Sequence, residues 1–267
     1  ANPDPLGAVR GATMSSVDLD ALAAAQTNLL VGSDPTELRP VAATAIRRAR
    51  ERGAALVVVS SGHTPLVEGA SVWLNARRGT STVVLTALAA AVARAHGVPE
   101  MAGREALEEV FGLITPESVA SLAGVAPASI SEAATLLARP NGRVVAVADL
   151  DEPVDGAMDD LLALNNLLLL LCHAELCTTA PGLLLLSAHA NGAGVRRAGL
   201  DGDATFAIAL AEERVRGAVF VGEDPGLSPT TAQLLTDLRF VVAFEHTLGA
   251  TGRRANVVFP LANHLES

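Results

Sequence analysis

The 267-residue sequence contains no lysine and no tyrosine, and it has one tryptophan and two cysteines. Charged residues make up only 18%. All 19 basic residues are arginine, set against 29 acidic ones, and the net charge is −10. With that balance and no basic stripe, a phosphate backbone is a poor match, and nucleic acid is not expected as a partner. The missing lysine reads mainly as a high-GC coding bias, because heat adaptation usually enriches lysine. Two cysteines cannot hold a four-thiolate iron–sulfur cluster. So few thiols, with no secretory signal in view, point to a cytoplasmic setting. The first residue is not methionine, which suits processing, trimming or a place within a longer polypeptide. The longest aliphatic run, LLALNNLLLLL at 161–171, is too short to span a bilayer and carries Asn165 and Asn166 in its middle. It predicts a buried helix, and no direct membrane span is expected.

What is present is apolar and patterned. Half of the residues are hydrophobic and the mean hydropathy is +0.38, enough for a substantial core in one large domain or two medium ones. The most informative pattern is a repeat. Residues 29–35 read LLVGSDP and residues 219–225 read VFVGEDP. Each apolar run stops at Gly-x-Asp-Pro, an amphipathic segment follows, and a second apolar run comes next, at 54–60 and 240–245. A short third run then follows an alanine, at 70–74 and 255–259. Two strand–helix–strand–strand units of this kind suggest paired nucleotide-binding half-sites.

Along the chain, a loop-like start leads to a helix over about 18–26 and a strand over 27–32. Asp34, Pro35 and Glu37 form a strong helix start of cap, first-turn proline and capping-box acid, and the helix is expected to run to Arg52 and stop at Gly53. Strands at 54–60 and 71–75 precede a long helix opened by Arg78-Gly79-Thr80 and ending near His96. Residues 103–138 read as a helical insert, with Pro116 and Pro127 at first helical positions. A strand at 143–148, an acidic loop and the apolar helix 157–171 follow. The stretch 178–203, rich in Gly, Ala and Asn, reads as a loop. The domain division is therefore 1–200 for a Rossmann-like parallel-sheet α/β domain, and 201–267 for a partial second α/β layer of about three strands and two helices, completed by other polypeptide.

Several side-chain clusters have plain default readings. Gly32-x-Asp34-Pro35 and Gly222-x-Asp224-Pro225 could present helix-start amides to a phosphate, and each alone is equally a capped strand-to-helix turn. Cys172-His173-x3-Cys177 lacks a zinc spacing and a second ligand pair, so buried core thiols are expected. Asp149, Asp151, Glu152 and Asp155 read as a solvated acidic turn, and Asp159 and Asp160 as helix-start acids. No G-x-S-x-G nucleophile elbow is present.

The order GATMSSVDLDALAAAQTNLLVGSDPTELRPVAATAIRRARERGAALVVVSSGHTPL, RRGTSTVVLTALAAAV, TPESVASLAGVAPASISEAATLLA, NLLLLLCHAELCTTAPGLLLLSAHANGAGVRRAGL, AVFVGEDP and RFVVAFEHTLGATGRRANVVFPLANHLES resembles the molybdopterin oxidoreductase family, to which formate dehydrogenase alpha subunits and the G-type subunit of NADH–quinone oxidoreductase (complex I) belong. The resemblance implies an α/β fold of the formate dehydrogenase/DMSO reductase type, with two pseudo-symmetric domains that each grip one arm of a bis-molybdopterin guanine dinucleotide. It implies Gly32, Ser33, Asp34, Ser60, Gly79, Thr80, Gly222, Glu223 and Glu245 as the residues lining those arms. Catalytic residues would have to come from outside this stretch.

Departures from the family pattern sit at those same places. Ser60-Ser61-Gly62 replaces Asp-Pro-Arg, and Gly79-Thr80-Ser81 replaces Gly-Thr-Asp. Phe244-Glu245 replaces Gln-Asp, Gly249-Ala250-Thr251 replaces Thr-Glu-Thr, and Ala255-Asn256 replaces Ala-Asp. Each lost hydrogen bond to a charged group weakens binding by about 1.5–3 kcal/mol. The expectation is a vestigial, cofactor-free scaffold in a multi-subunit redox complex of the NADH–quinone oxidoreductase kind, beside iron–sulfur subunits and possessing no catalytic residue or metal of its own. The alternative is the middle of a formate dehydrogenase-like enzyme that still binds molybdopterin guanine dinucleotide. A weaker third reading is a free-standing nucleotide-binding regulator.

Overall fold

In a computed structural model, the chain separates into two compact units, Asn2–Arg197 and Ala198–Ser267. The structure describes residues 15–32, 34–101, 103–140, 142–149, 157–173, 180–186, 208–212 and 214–263, with the single positions 194, 198 and 266.

Five apolar runs form the parallel sheet of the first unit: β1 Thr27–Val31, β2 Ala55–Ser60, β3 Val72–Asn75, β4 Val144–Asp149 and β5 Gly182–Leu186, in the order 3-2-1-4-5. Every residue of β1, β2 and β5 is buried, as continuous apolar strands in a doubly covered sheet must be. The register sets Leu29 between Val57 and Ala146. Among the described residues, eight helices belong to this unit: α1 Leu19–Ala23, α2 Pro35–Leu38, α3 Pro40–Glu51, α4 Ser81–His96, α5 Arg104–Leu113, α6 Pro116–Ala123, α7 Pro127–Leu137 and α8 Ala157–His173. Alternation along the strands divides the core. Leu29, Val31, Val57 and Val59 pack with α4, α7 and α8, whereas Leu30, Leu56 and Val58 pack with α1 and α3. Ala42, Ala45 and Ala49 of α3, and Ala87, Ala89 and Ala90 of α4, are buried; small side chains at these positions allow a core with few aromatics. This is the expected Rossmann-like α/β fold, with its helical insert.

The structure corrects four local expectations. The helix expected over 34–52 is two helices broken at Arg39, whose φ of −137° and ψ of 56° leave the helical region. Pro40 is the cause: it lacks an N–H and disfavours helical backbone in the residue before it. The first helix ends at Ala23, and the Gln26 side chain instead accepts the Arg143 N–H at 3.0 Å. The stretch read as a loop over 178–203 contains β5. Its leucine run lacks the β-branched and aromatic residues that mark strands, and burial on both faces makes it one. Cys172, expected in the core, is exposed, because Leu164, Leu167, Leu168, Leu170 and Leu171 occupy the inward face of α8. Cys177 and the acidic residues 151–155 lie outside the described residues.

The free edge of β5 is covered by the chain itself. The Ser16 N–H donates to the Leu183 carbonyl at 2.8 Å, and the hydroxyls of Ser16 and Ser15 accept from Leu183 and Leu185 N–H at 2.9 and 3.0 Å. This is a standard defence of an open strand edge.

One buried polar side chain in β1 is ill matched to its surroundings. Asn28 is wholly buried on the Leu30 face, and neither its amide oxygen nor its nitrogen has a hydrogen-bond partner among the described residues. Replacing it with valine removes two unsatisfied groups and improves strand propensity. Asn28→Val is expected to raise stability by about 1 kcal/mol, read as a higher denaturation midpoint at unchanged slope; a lower midpoint would show that the amide is satisfied.

The second unit carries a three-stranded parallel sheet, β6 Gly217–Val221, β7 Phe240–Glu245 and β8 Val257–Pro260, in sequence order. Helix α9 Pro229–Leu235 packs on one face, where Phe220, Leu235 and Val241 form a small core. Short 3-10 turns at Pro225–Leu227 and Gly252–Arg254 follow the carboxyl ends of β6 and β7. Among the described residues no single helix is long and apolar enough to cross a membrane; α6 and α7 reach the required length and composition only as a pair bent by 108°.

Candidate functional site

In a doubly wound sheet the ligand crevice lies at the carboxyl ends of the strands, where strand order reverses. Here the reversal falls between β1 and β4. Parallel register brings the end of β1 beside those of β2 and β4, so Gly32, Asp34 and Ser60 gather at one edge, with Gly79 and Thr80 following β3. Ser33 lies outside the described residues.

The polar groups gathered there are engaged with one another. One Asp34 carboxylate oxygen accepts the Thr36 N–H at 2.7 Å, and the other accepts the Leu66 N–H at 2.9 Å, tying the turn after β1 to the loop after β2. Burial pushes the Asp34 carboxyl up, but hydrogen bonds from Thr36, Leu66 and Thr64 outweigh it and hold the group below its ordinary value. Ser60 is buried. Its hydroxyl accepts the Trp73 indole N–H and donates to the Gly62 carbonyl, both at 3.0 Å. The ring of His63 meets Trp73 edge-on, with centroids 5.7 Å apart. The strand-end position that would serve ribose hydroxyls is thus filled by an indole contact. The helix behind the first turn is only four residues long, and α3 begins at Arg39 without a side-chain cap. Thr80 starts α4, and its hydroxyl donates to the Arg77 carbonyl at 2.7 Å.

The second unit is tighter still. Gly222 donates its N–H to the Phe244 carbonyl at 2.9 Å, and Glu223 is exposed. Asp224 turns inward across the loop after β7. It accepts the Ala250 N–H at 2.8 Å, the Thr251 N–H at 2.7 Å and the Thr251 hydroxyl at 2.6 Å. Glu245, buried at the end of β7, accepts the Gly249 and Gly252 N–H groups, both at 2.8 Å. The Thr251 hydroxyl also accepts the Gly226 N–H at 2.8 Å. Two carboxylates therefore saturate four consecutive loop amides. Glycine is required at two of those positions: a Cβ on Gly249 would collide with the Asp224 carboxylate, and one on Gly252 with that of Glu245.

A shallow groove of about 490 Å³ remains beside this loop, lined by Asp224, Leu227, Leu248, Gly249, Arg253 and Arg254. A larger cleft of about 640 Å³, lined by residues that include His96, Thr135 and Arg139, lies between α4 and α7, away from these turns. Among the described residues no group of three or more His, Cys, Asp or Glu could hold a metal ion. Sequence reasoning singled out Gly222, Glu223 and Glu245 but missed Asp224 and Thr251 as partners, and it missed Trp73 beside Ser60. The single tryptophan and the Asp of the repeated turn were the available signals.

No protein-family profile matches the chain. It is 31% identical over 118 residues to F420-dependent formate dehydrogenase 1 subunit alpha of Methanococcus maripaludis, a match covering 42% of this chain and 18% of that protein. It is 25% identical over 114 residues to F420-dependent formate dehydrogenase subunit alpha of Methanocaldococcus jannaschii, covering 40% and 17% respectively. The matched stretch is thus under a fifth of either relative. Among solved structures, acetylene hydratase from Pelobacter acetylenicus superposes with a TM-score of 0.64 at 15% identity, over 91% of this chain and 43% of that one. The fold is shared with that enzyme, and the sequence likeness to the formate dehydrogenase subunits supports a molybdopterin oxidoreductase-like domain.

Proposed function

We propose that this chain is a non-catalytic, structural molybdopterin oxidoreductase-like part of a multi-subunit electron-transfer assembly, of the kind represented by the G-type subunit of NADH–quinone oxidoreductase. The observation that carries the reading is the closed loop of the second unit. A guanine dinucleotide arm needs unspent N–H donors for its phosphates and free acceptors for its base and ribose. At Gly249–Gly252 the donors are spent on Asp224 and Glu245, and an incoming pyrophosphate would face both carboxylates. At the first unit, both Asp34 oxygens and the Ser60 hydroxyl are engaged within the protein. Among the described residues, the polar groups of these turns do not fit the cofactor's arms. Gly249, which stands where the family pattern has threonine, is what lets Asp224 reach the loop.

On this reading the chain braces neighbouring subunits, iron–sulfur subunits among them, on the cytoplasmic side of the assembly. The Gly-x-Asp-Pro turns serve as caps rather than ligands. The formate dehydrogenase likeness favours one alternative: a portion of a larger enzyme that binds molybdopterin guanine dinucleotide along Gly32, Ser33, Asp34, Ser60, Gly79, Thr80, Gly222, Glu223 and Glu245.

Elemental analysis of the native assembly separates the two. Molybdenum and tungsten together should fall far below one atom per copy of this chain, after correction for any other metal-bearing subunit. A ratio close to one would sink the scaffold reading.

A further inference from the structure

The amino end of the first sheet, opposite the Gly-x-Asp-Pro turn, gathers positive charge. Parallel strands are joined by helices that run back the other way, so α3, α4 and α7 all finish near that rim. The cleft of about 640 Å³ between α4 and α7 carries Arg94 and His96 from one helix end and Arg139 from the other. A second hollow of about 430 Å³, between Gln26, Gly53 and Gly142 at the starts of β1, β2 and β4, carries Arg52. Arg139 and Pro140 line both, so the two hollows adjoin there.

Neither hollow is lined by an aspartate or a glutamate, in a chain with 29 acidic residues against 19 basic ones. Arg52 donates to the Ala23 carbonyl at 3.3 Å, and Arg94 to the Ile114 carbonyl. Among the described residues neither of them, nor Arg139, pairs with a carboxylate. Cations at helix carboxyl ends offset the macrodipole, and that accounts for part of the pattern. Each helix end carries only about half a negative charge, so three guanidiniums leave a positive surplus over three helix ends. The walls between them are short and apolar: Val92, Ala134 and Ala138 are buried in the first hollow and Ala25 in the second.

A compact anion calls for donors that converge on one point. Here the cations are strung along a track: Arg94 and His96, then Arg139, then Arg52. We infer that this track seats an extended acidic segment of a partner polypeptide. Its carboxylates meet Arg94, Arg139 and Arg52 in turn, and its small apolar residues lie on the alanine walls. Arginine suits the task, because its planar fork binds a carboxylate through two parallel hydrogen bonds. Nucleic acid is the wrong occupant, since the net charge of −10 opposes a phosphate backbone. The inference gives the bracing role a partner chemistry and rests on that role for its partner. The metal ratio tests the role, whereas peptide binding reads the cleft on the chain itself, so the two fail separately.

Fluorescence anisotropy of a fluorescein-labelled peptide of alternating glutamate and alanine, titrated with the full chain, tests the inference. The peptide should bind saturably and more weakly as salt rises. Arg94→Gln with Arg139→Gln should weaken binding at least about tenfold, and Arg52→Gln should weaken it from the far end of the track. Arg47→Gln with Arg78→Gln, exposed arginines elsewhere on the unit, should leave it unchanged. Absence of binding, or equal loss in the two double variants, would overturn the inference. Displacement by inorganic phosphate beyond that produced by chloride at equal ionic strength would assign the cleft to a small anion and overturn it as well. In the native assembly, Arg94 and Arg139 should lose their labelling by phenylglyoxal relative to the isolated chain; undiminished labelling would show that no partner occupies the cleft.

Discussion

Replacing Leu88 with alanine is expected to lower the stability of the first unit by about 3–4 kcal/mol, within the range measured for buried leucines. Leu88 is fully buried on α4, in the layer between the sheet and α8. The core cluster around it is built from the sheet, α7 and α8, and is close-packed, so little is free to swing into the space left behind. The cavity would therefore persist, and the cavity term adds to the lost transfer energy. For a domain of this size each kcal/mol moves the melting temperature by roughly 2–4 °C, so a fall of about 6–16 °C is expected. Leu122→Ala on α6, where the side chain is 57% exposed, should change stability by less than about 0.5 kcal/mol. Similar effects from both substitutions would mean that the packing described for α4 is wrong.

Asp224→Ala is expected to release the loop after β7. The carboxylate accepts three hydrogen bonds, from Ala250 and from the N–H and hydroxyl of Thr251. A bond to a charged acceptor contributes about 1.5–3 kcal/mol, and solvent reaches this half-buried group, so the summed loss is put at about 2–3 kcal/mol. The small core of Phe220, Leu235 and Val241 offers little to offset it. Amides 249–252 should exchange faster while those of β1 and β2 do not change; an unchanged loop would refute the clamp.

The same group sets a pH dependence. The Thr251 hydroxyl bond, opposed by burial and reinforced by the amides of Thr251, Ala250 and Gly226, holds the Asp224 carboxyl below its ordinary 3.8. A depressed folded value means stabilisation that is present above the unfolded value and lost as pH falls through the folded one. Asp34 acts in the same direction. Asp160 acts oppositely: burial raises it, the Thr82 hydrogen bond lowers it less, and the charge of Asp159 raises it further. Its contribution is present below the unfolded value and is lost as pH rises through the folded one. The wild-type protein should therefore lose second-unit stability below about pH 4, and Asp224→Ala should flatten that limb.

The features legible in the sequence were those with local or periodic signals. Continuous apolar strands announced a sheet covered on both faces, and Pro116 announced a helix start, where the structure adds a reciprocal cap between Thr115 and Ser118. The repeated turn marked where β1 and β6 end. The break at Arg39 was also written locally, in Pro40, but the strong capping signal at Asp34 favoured an unbroken helix. Strand β5 escaped because leucine serves helix and strand alike, and only its neighbours Val145, Ala146 and Val147 make it a strand. The carboxylate clamp was illegible for a different reason. Asp224 and Thr251 are 27 positions apart, and side-chain-to-amide contacts over that distance leave no periodic trace.

Trp73 has a practical consequence for anyone who follows this protein in solution. With no tyrosine and one tryptophan, the chain has a single strong intrinsic fluorophore, and it is pinned to Ser60 at the end of β2. Its emission will report on the first unit and stay blind to the second, whose aromatic residues are phenylalanines. A melting curve taken by emission and one taken by far-ultraviolet dichroism should therefore part company whenever the loop beyond β7 gives way first, and the gap between them becomes a direct optical readout of the weaker half.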